Sequence, residues 1–139
     1  IEAGEIKDGD VVISRNQGLR GGPAMGGGAR LILFALDAAG LAKTTAFVTD
    51  GQLSGLCLKG LTVAEVHPEA AEEASPIGLV RDGDTVRISV QNRAIDLDVP
   101  LDELAKRASP GADVHAHPLA AFLNLFHHAC VPLSGVVEG

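Results

Sequence analysis

Ser54 is the residue best placed by its surroundings to do chemistry. It stands next to last in the run Thr49-Asp50-Gly51-Gln52-Leu53-Ser54-Gly55, which continues from an apolar stretch at residues 45–49. A serine hydroxyl is a weak base or nucleophile until a neighbouring group or a metal lowers its pKa. Loops at the carboxyl ends of strands are also where α/β sheets tend to hold ligands. Read from the residues alone, the same run is equally a structural turn, and that is the commoner use of such a sequence. It is not the nucleophile elbow of hydrolases, because Gln52 stands where that motif needs glycine. A second candidate is the glycine-dense segment 18–28 (GLRGGPAMGGG), which precedes a helical pattern. Backbone amides at such a junction can cradle an anion, yet the segment reads just as well as a flexible connection. It matches neither the P-loop nor the dinucleotide fingerprint.

The histidines suggest metal only superficially. His115 and His117 flank one residue and His127 and His128 are adjacent, without the HExxH form or a paired carboxylate. Neighbouring helical residues point about 100° apart, so His127 and His128 do not chelate together. They read as solvated or packed residues, and no metal site is assigned to this chain. Cys57 and Cys130 are far apart, lack CxxC spacing, and read as small buried hydrophobes in a reduced, cytoplasmic setting.

The elements that position these residues follow from periodicity. Residues 10–15, 45–49 and 61–67 read as strands, and residues 29–39 as a helix stopped by Gly40. A helical turn is expected over PEAAEEA after Pro68. A meander of strands at 77–81, 85–90 and 94–99 follows, then a short helix at 101–107 and an apolar helix at 118–130. Ile6-Lys-Asp-Gly-Asp10 and Val80-Arg-Asp-Gly-Asp84 echo each other as strand-entry turns. The fold class is mixed α/β: one domain spanning residues 1–139, a small β-barrel flanked by helices. The two loops, 18–28 and 50–60, are expected side by side on one face.

Composition bounds the function. The chain has 139 residues, enough for one domain with a sizeable core. Its 46% hydrophobic and 21% charged content is that of a globular protein, and its aromatics are four Phe with no Trp or Tyr. A net charge of −7 without a basic run excludes nucleic acid as a partner. The apolar stretch at 31–36 is too short to cross a membrane. The chain begins with Ile1 rather than Met, which reads as an internal start. The absence of a targeting segment therefore carries no weight.

Five separated motifs occur in one order: Arg20-Gly-Gly-Pro-Ala-Met25, Val48-Thr-Asp-Gly-Gln-Leu-Ser-Gly55, Val66-His-Pro-Glu-Ala-Ala71, Pro76-Ile-Gly-Leu-Val-Arg-Asp-Gly-Asp84, and Asn92-Arg93 with Asp96-Leu97. In this the chain resembles the C-terminal region of the dihydroxy-acid and 6-phosphogluconate dehydratases, over residues 4–107. The resemblance implies a swivelling barrel domain that closes over an active site. A larger N-terminal domain, or a separate chain, would carry an iron–sulfur cluster and most ligands of Mg2+; no cofactor is expected on this chain alone. It implies a homo-oligomer when complete, and a hydroxy-acid substrate losing water to give a 2-keto acid. It makes Ser54 the base at C2, with Gly22, Met25, Gly26, Asp50 and Gly55 at the substrate. One departure stands out: two residues beyond the Met, where that family usually has a glutamate ligand for magnesium, this chain has Gly27. A non-catalytic swivel or binding domain, or a stand-alone small subunit completed by a partner chain, is the competing expectation.

Overall fold

The computed structural model describes residues 1, 3–25, 28–57 and 59–107. The histidines at 115, 117, 127 and 128, Cys130, Gly26, Gly27 and the helix expected at 118–130 lie outside the described residues. The elements run in the order β1 (Val11–Ser14), α1 (Gly28–Ala38), β2 (Ala46–Thr49), β3 (Leu61–Val63), α2 (Pro76–Leu79), β4 (Val86–Ser89), β5 (Ala94–Leu97) and α3 (Leu101–Leu104).

Strand β2 is the centre of a three-stranded parallel sheet in the order β1-β2-β3, with Ile13 opposite Val48 and Val48 opposite Val63. Parallel neighbours need a crossover, and α1 supplies the one between β1 and β2. All four residues of β2 are buried, the pattern of a strand covered on both faces. Its side chains alternate accordingly. Phe47 packs with Ala29 and Leu33 of α1 and with Cys57 on one face. Val48 packs on the other with Ala70 and Ile77 and, at the edge, with Ile88 and Ile95 of the β4–β5 hairpin. The molecule is thus layered as helix, sheet and hairpin, with an apolar core on each side of β2. A small cavity of about 110 Å³ in the second core is lined by Ile13, Val48, Ile77 and Ile95 among others; none of residues 50–57 lines it.

Local chemistry explains where elements begin and end. Helix α1 buries Ala29, Leu33 and Leu36 on one stripe. It stops at Gly40, whose φ of +76° a residue with a side chain adopts only with strain. The amides of Gly40 and Leu41 close back onto the carbonyls of Asp37 and Leu36, the bonding pattern of a glycine-terminated helix. The two echoed turns are structurally alike: Asp10 accepts the Lys7 amide and Asp84 the Arg81 amide, each at 2.8 Å. They enter β1 and β4 respectively. The hairpin pairs Ile88 with Ile95 across its buried face, as alternation requires.

Three expectations are corrected. The strand expected at 77–81 is instead α2: Pro76 sits at its first turn, and Gly78 and Leu79 donate to the carbonyl of Ser75. A short apolar run does not distinguish a buried strand from a buried turn of helix. Tertiary contact decided it here, since Arg15 Nη1 donates to the carbonyls of Gly78 and Val80 at 3.2 and 2.9 Å. The meander is therefore a two-stranded hairpin. The strand expected at 61–67 ends at Val63, because Glu65 takes a positive φ and the chain turns back over the end of β2, with Glu65 donating to Gly51 and Val66 to Thr49. The helical turn expected after Pro68 is a series of turns instead, with Ala74 at positive φ. Among the described residues the strands form two separate sheets, not a closed barrel.

Candidate functional site

The carboxyl ends of the adjacent parallel strands β1 and β2 release the two loops that the motifs occupy. They meet as expected. Gln52 donates its amide to the carbonyl of Ala24 at 2.7 Å, and Met25 and Gln52 form a parallel bridge. Gly51 lies against Gln17 so closely that a Cβ there would come within 2.6 Å of it.

Asp50 explains why the loops meet at this place. Its side chain is buried, only 3% exposed. Oδ2 accepts the amides of Asn16 at 3.1 Å and Ala70 at 2.9 Å, and Oδ1 accepts that of Gln17 at 2.9 Å. A buried carboxylate is costly unless hydrogen-bonded, and bonds from amides to a charged acceptor are among the stronger ones. Asp50 therefore faces the loops' own backbone. Thr49 adds a further tie by accepting the Gly51 amide on its hydroxyl at 3.1 Å.

A second buried carboxylate, Glu69, performs the same task for the glycine segment. Its Oε1 accepts the Leu19 amide at 3.0 Å and its Oε2 the Arg20 amide at 2.7 Å. Sequence reasoning missed Glu69 as an individual residue. Its signal was present in the motif Val66-His-Pro-Glu-Ala-Ala71, but nothing local says that a glutamate after a proline will turn inward.

Ser54 is half-buried at the head of a turn. Its carbonyl accepts the Cys57 amide at 2.9 Å, its Oγ accepts the Leu56 amide at 3.3 Å, and Oγ and the Cys57 Sγ are 4.0 Å apart. Cys57 is a free, buried thiol. Beyond Ser54 the site is open. Gly55 has nothing within 4 Å of where a Cβ would stand, while Leu56 is 69% and Met25 50% exposed. Gly22 is at the opposite extreme: a Cβ there would lie 2.2 Å from the carbonyl oxygen of Asn16. Lys59 anchors the far end of the second loop to α1 by pairing with Asp37 at 2.7 Å over the ring of Phe34.

Of the residues singled out from sequence, Gly22, Met25, Asp50, Ser54 and Gly55 are thus carried by two loops in direct contact. Among the described residues, no group of three or more His, Cys, Asp or Glu could hold a metal ion. Cys57, the one cysteine among the described residues, does not by itself supply the set of thiolates that an iron–sulfur cluster needs. No helix among them is long and apolar enough to cross a membrane.

The motif loops lie at the carboxyl edge of a parallel sheet, where α/β folds tend to hold ligands. The family model for the C-terminal region of dihydroxy-acid and 6-phosphogluconate dehydratases matches residues 1–132, and the chain belongs to that family. It is 48% identical over 110 residues to a dihydroxy-acid dehydratase of Pyrococcus furiosus, a match covering 77% of this chain and 19% of that protein. It is 47% identical over 106 residues to a dihydroxy-acid dehydratase of Acidothermus cellulolyticus, covering 74% and 18% respectively. A third dihydroxy-acid dehydratase, of Nitratidesulfovibrio vulgaris, is 44% identical over 110 residues, covering 77% and 19%. The chain spans about a fifth of the length of these relatives.

Proposed function

We propose that this chain is the Ser54-bearing part of a hydro-lyase that converts a 2,3-dihydroxy acid or sugar acid to a 2-keto acid. The observation that carries the reading is the pairing of Met25 with Gln52, which joins the glycine segment to the loop presenting Ser54. In the reaction, Ser54 Oγ takes the proton from C2. The electron pair of the broken C–H bond forms the C2–C3 double bond, and hydroxide leaves C3. Proton and hydroxide together make one water, and the resulting enol tautomerises to the keto acid. The Leu56 amide, already directed at Oγ, stabilises the deprotonated hydroxyl as a fixed donor. Gly22, Met25, Gly26 and Gly55 shape the substrate's side of the site, while Asp50 acts on substrate through the two loops it braces.

The iron–sulfur cluster and Mg2+ of such an enzyme belong to its metal-bearing region, in the same chain or in a partner chain. Exposed Met25 and Leu56, one on each of the two joined loops, belong to the face this region would cover. The two sheets, joined through the core around Val48, Ile88 and Ile95, form part of one swivelling barrel. The complete enzyme is a cytoplasmic homo-oligomer.

A second reading, a non-catalytic swivel or binding domain, is favoured by one feature: Gly27 replaces the glutamate that the resemblance leads one to expect. Keto-acid formation by the complete protein, wild type and Ser54→Ala, on a panel of dihydroxy acids and aldonates separates the two. The catalytic reading expects Ser54→Ala to lose about 10²–10⁴-fold in turnover, with stability changed by less than about 1 kcal/mol. Equal rates would remove Ser54 from the mechanism. A silent wild type across the panel would support the non-catalytic domain.

A further inference from the structure

We infer that Glu69 is a positioning residue, an internal anion that holds the glycine segment in the shape the Ser54 site requires; for its catalytic part this rests on the function proposed above. Successive backbone amides in a glycine-rich segment form an anion-binding concavity. Here the proximal amides already have their anion. Leu19 and Arg20 donate to the two oxygens of a Glu69 carboxylate that is 2% exposed.

The residue types around this contact make it a built arrangement. A Cβ on Gly18 would stand 2.3 Å from the Glu69 carboxyl carbon, so any side chain at 18 would displace the carboxylate. Glu69 is itself held, because its amide donates to Glu72 Oε1 at 2.9 Å. The next amide, that of Ala70, donates to Asp50, which also holds Asn16 and Gln17. Glycine segment, Ser54 loop and residues 69–70 therefore form a closed triangle with a buried carboxylate on two of its sides. Two consequences follow. The amides of Leu19 and Arg20 are closed to a substrate carboxylate, which leaves the limb around Met25 as the part of the segment that faces substrate. In addition, removal of the Glu69 side chain would leave a carboxylate-sized space lined by two amide donors, and that space can be refilled from solution.

The test uses the complete dehydratase that carries this chain, with Glu69→Ala and sodium formate as the probe; sodium chloride at equal ionic strength is the control. Glu69→Ala should lower kcat by about tenfold or more, since misplacement of a catalytic loop by about 1 Å can cost about 100-fold. Formate should restore turnover in Glu69→Ala and raise its Tm, with no gain in wild type. It should also slow hydrogen exchange in the peptide spanning residues 16–22. Failure of formate to change Tm and exchange would overturn the internal-anion role. Recovery of Tm without recovery of kcat would overturn the positioning role and leave a structural one. If Glu69→Ala folds only with formate present, that requirement itself supports the internal anion, and Glu69→Gln then supplies the kinetic comparison: unchanged kcat in it would overturn the positioning role. A wild type without dehydratase activity would fail the function proposed above, while Tm and exchange would still decide whether Glu69 is the segment's anion.

Discussion

The amide of Ala70 lies 2.9 Å from Oδ2 of Asp50, a contact that joins the turn after β3 to the loop after β2. The same carboxylate takes the amides of Asn16 and Gln17, so one side chain ties two distant stretches of backbone, residues 16–17 and 70, to the loop that carries Ser54. Asp50→Ala removes the acceptor that these amides share, one of the three bonds being fully buried. The expected loss is about 1–3 kcal/mol, read as a lower urea midpoint. Asp50→Asn should lie between, because its NH2 group faces donors. An Asp50→Ala midpoint equal to wild type would show that the bonds do not brace the loops.

The two glycines of the site should behave oppositely. At Gly22 an added methyl meets the Asn16 carbonyl oxygen at 2.2 Å, so Gly22→Ala should destabilise by about 2 kcal/mol through overpacking. At Gly55 nothing lies within 4 Å, so Gly55→Ala should stay within about 0.5 kcal/mol of wild type. Yet it adds bulk on the open side of the Ser54 turn. A fall in kcat/KM with unchanged Tm is the expected pattern for Gly55→Ala, and thermal melts paired with kinetics check it.

Acid stability should depend on Asp84. Its carboxyl is held below the ordinary value first by its hydrogen bond to Arg107 and then by that from the Arg81 amide. Arg107 meets it with both terminal nitrogens, at 2.5 and 3.1 Å, and its own pKa is raised by Asp84 and then Glu103. A carboxyl whose pKa is lower folded than unfolded adds stability above its unfolded pKa and loses it as pH falls through the folded one. Asp84→Asn should therefore be less stable than wild type by a constant amount above about pH 5. The gap should shrink below about pH 4, near the ordinary aspartate value. Urea titrations across that range check this, and a gap independent of pH would assign the effect to packing.

Cofactor reconstitution should fail on this chain alone. The sequence has two cysteines, fewer than the thiolates that iron–sulfur clusters ordinarily require. Anaerobic incubation with iron and sulfide should leave the protein colourless. A brown product with cluster absorption would mean that the chain supplies ligands its described residues do not group.

Much of the scaffold was legible because it rests on local periodicity. The alternation of Val86, Ile88 and the facing Ile95, the apolar run at β2 and the helical stripe of Ala29, Leu33 and Leu36 each announce their element within a few residues. Gly40 announces the helix end for the same reason. The order of the motifs also identified the family and brought Ser54, Gly22, Met25 and Gly55 forward together. Their contact depended on tertiary structure, since Met25 and Gln52 meet only because β1 and β2 lie parallel and side by side.

What tertiary structure alone decided is the direction of the charged and ambiguous residues. Asp50 reads from sequence as a substrate-facing carboxylate and Glu69 only as part of a motif, until amides 33 and 50 positions away come to face them. A carboxylate's orientation follows from where donors are, and donors on a folded backbone are set by distant chain. Residues 76–79 became helix rather than strand in the same way, with Arg15 taking carbonyls 63 and 65 positions away. Sequence by itself determined β1, α1, β2, the β4–β5 hairpin and the motif residues, through forces that act between near neighbours. The inward turn of two carboxylates, and hence the shape of the Ser54 site, was decided by hydrogen bonds that exist only once the sheet has formed.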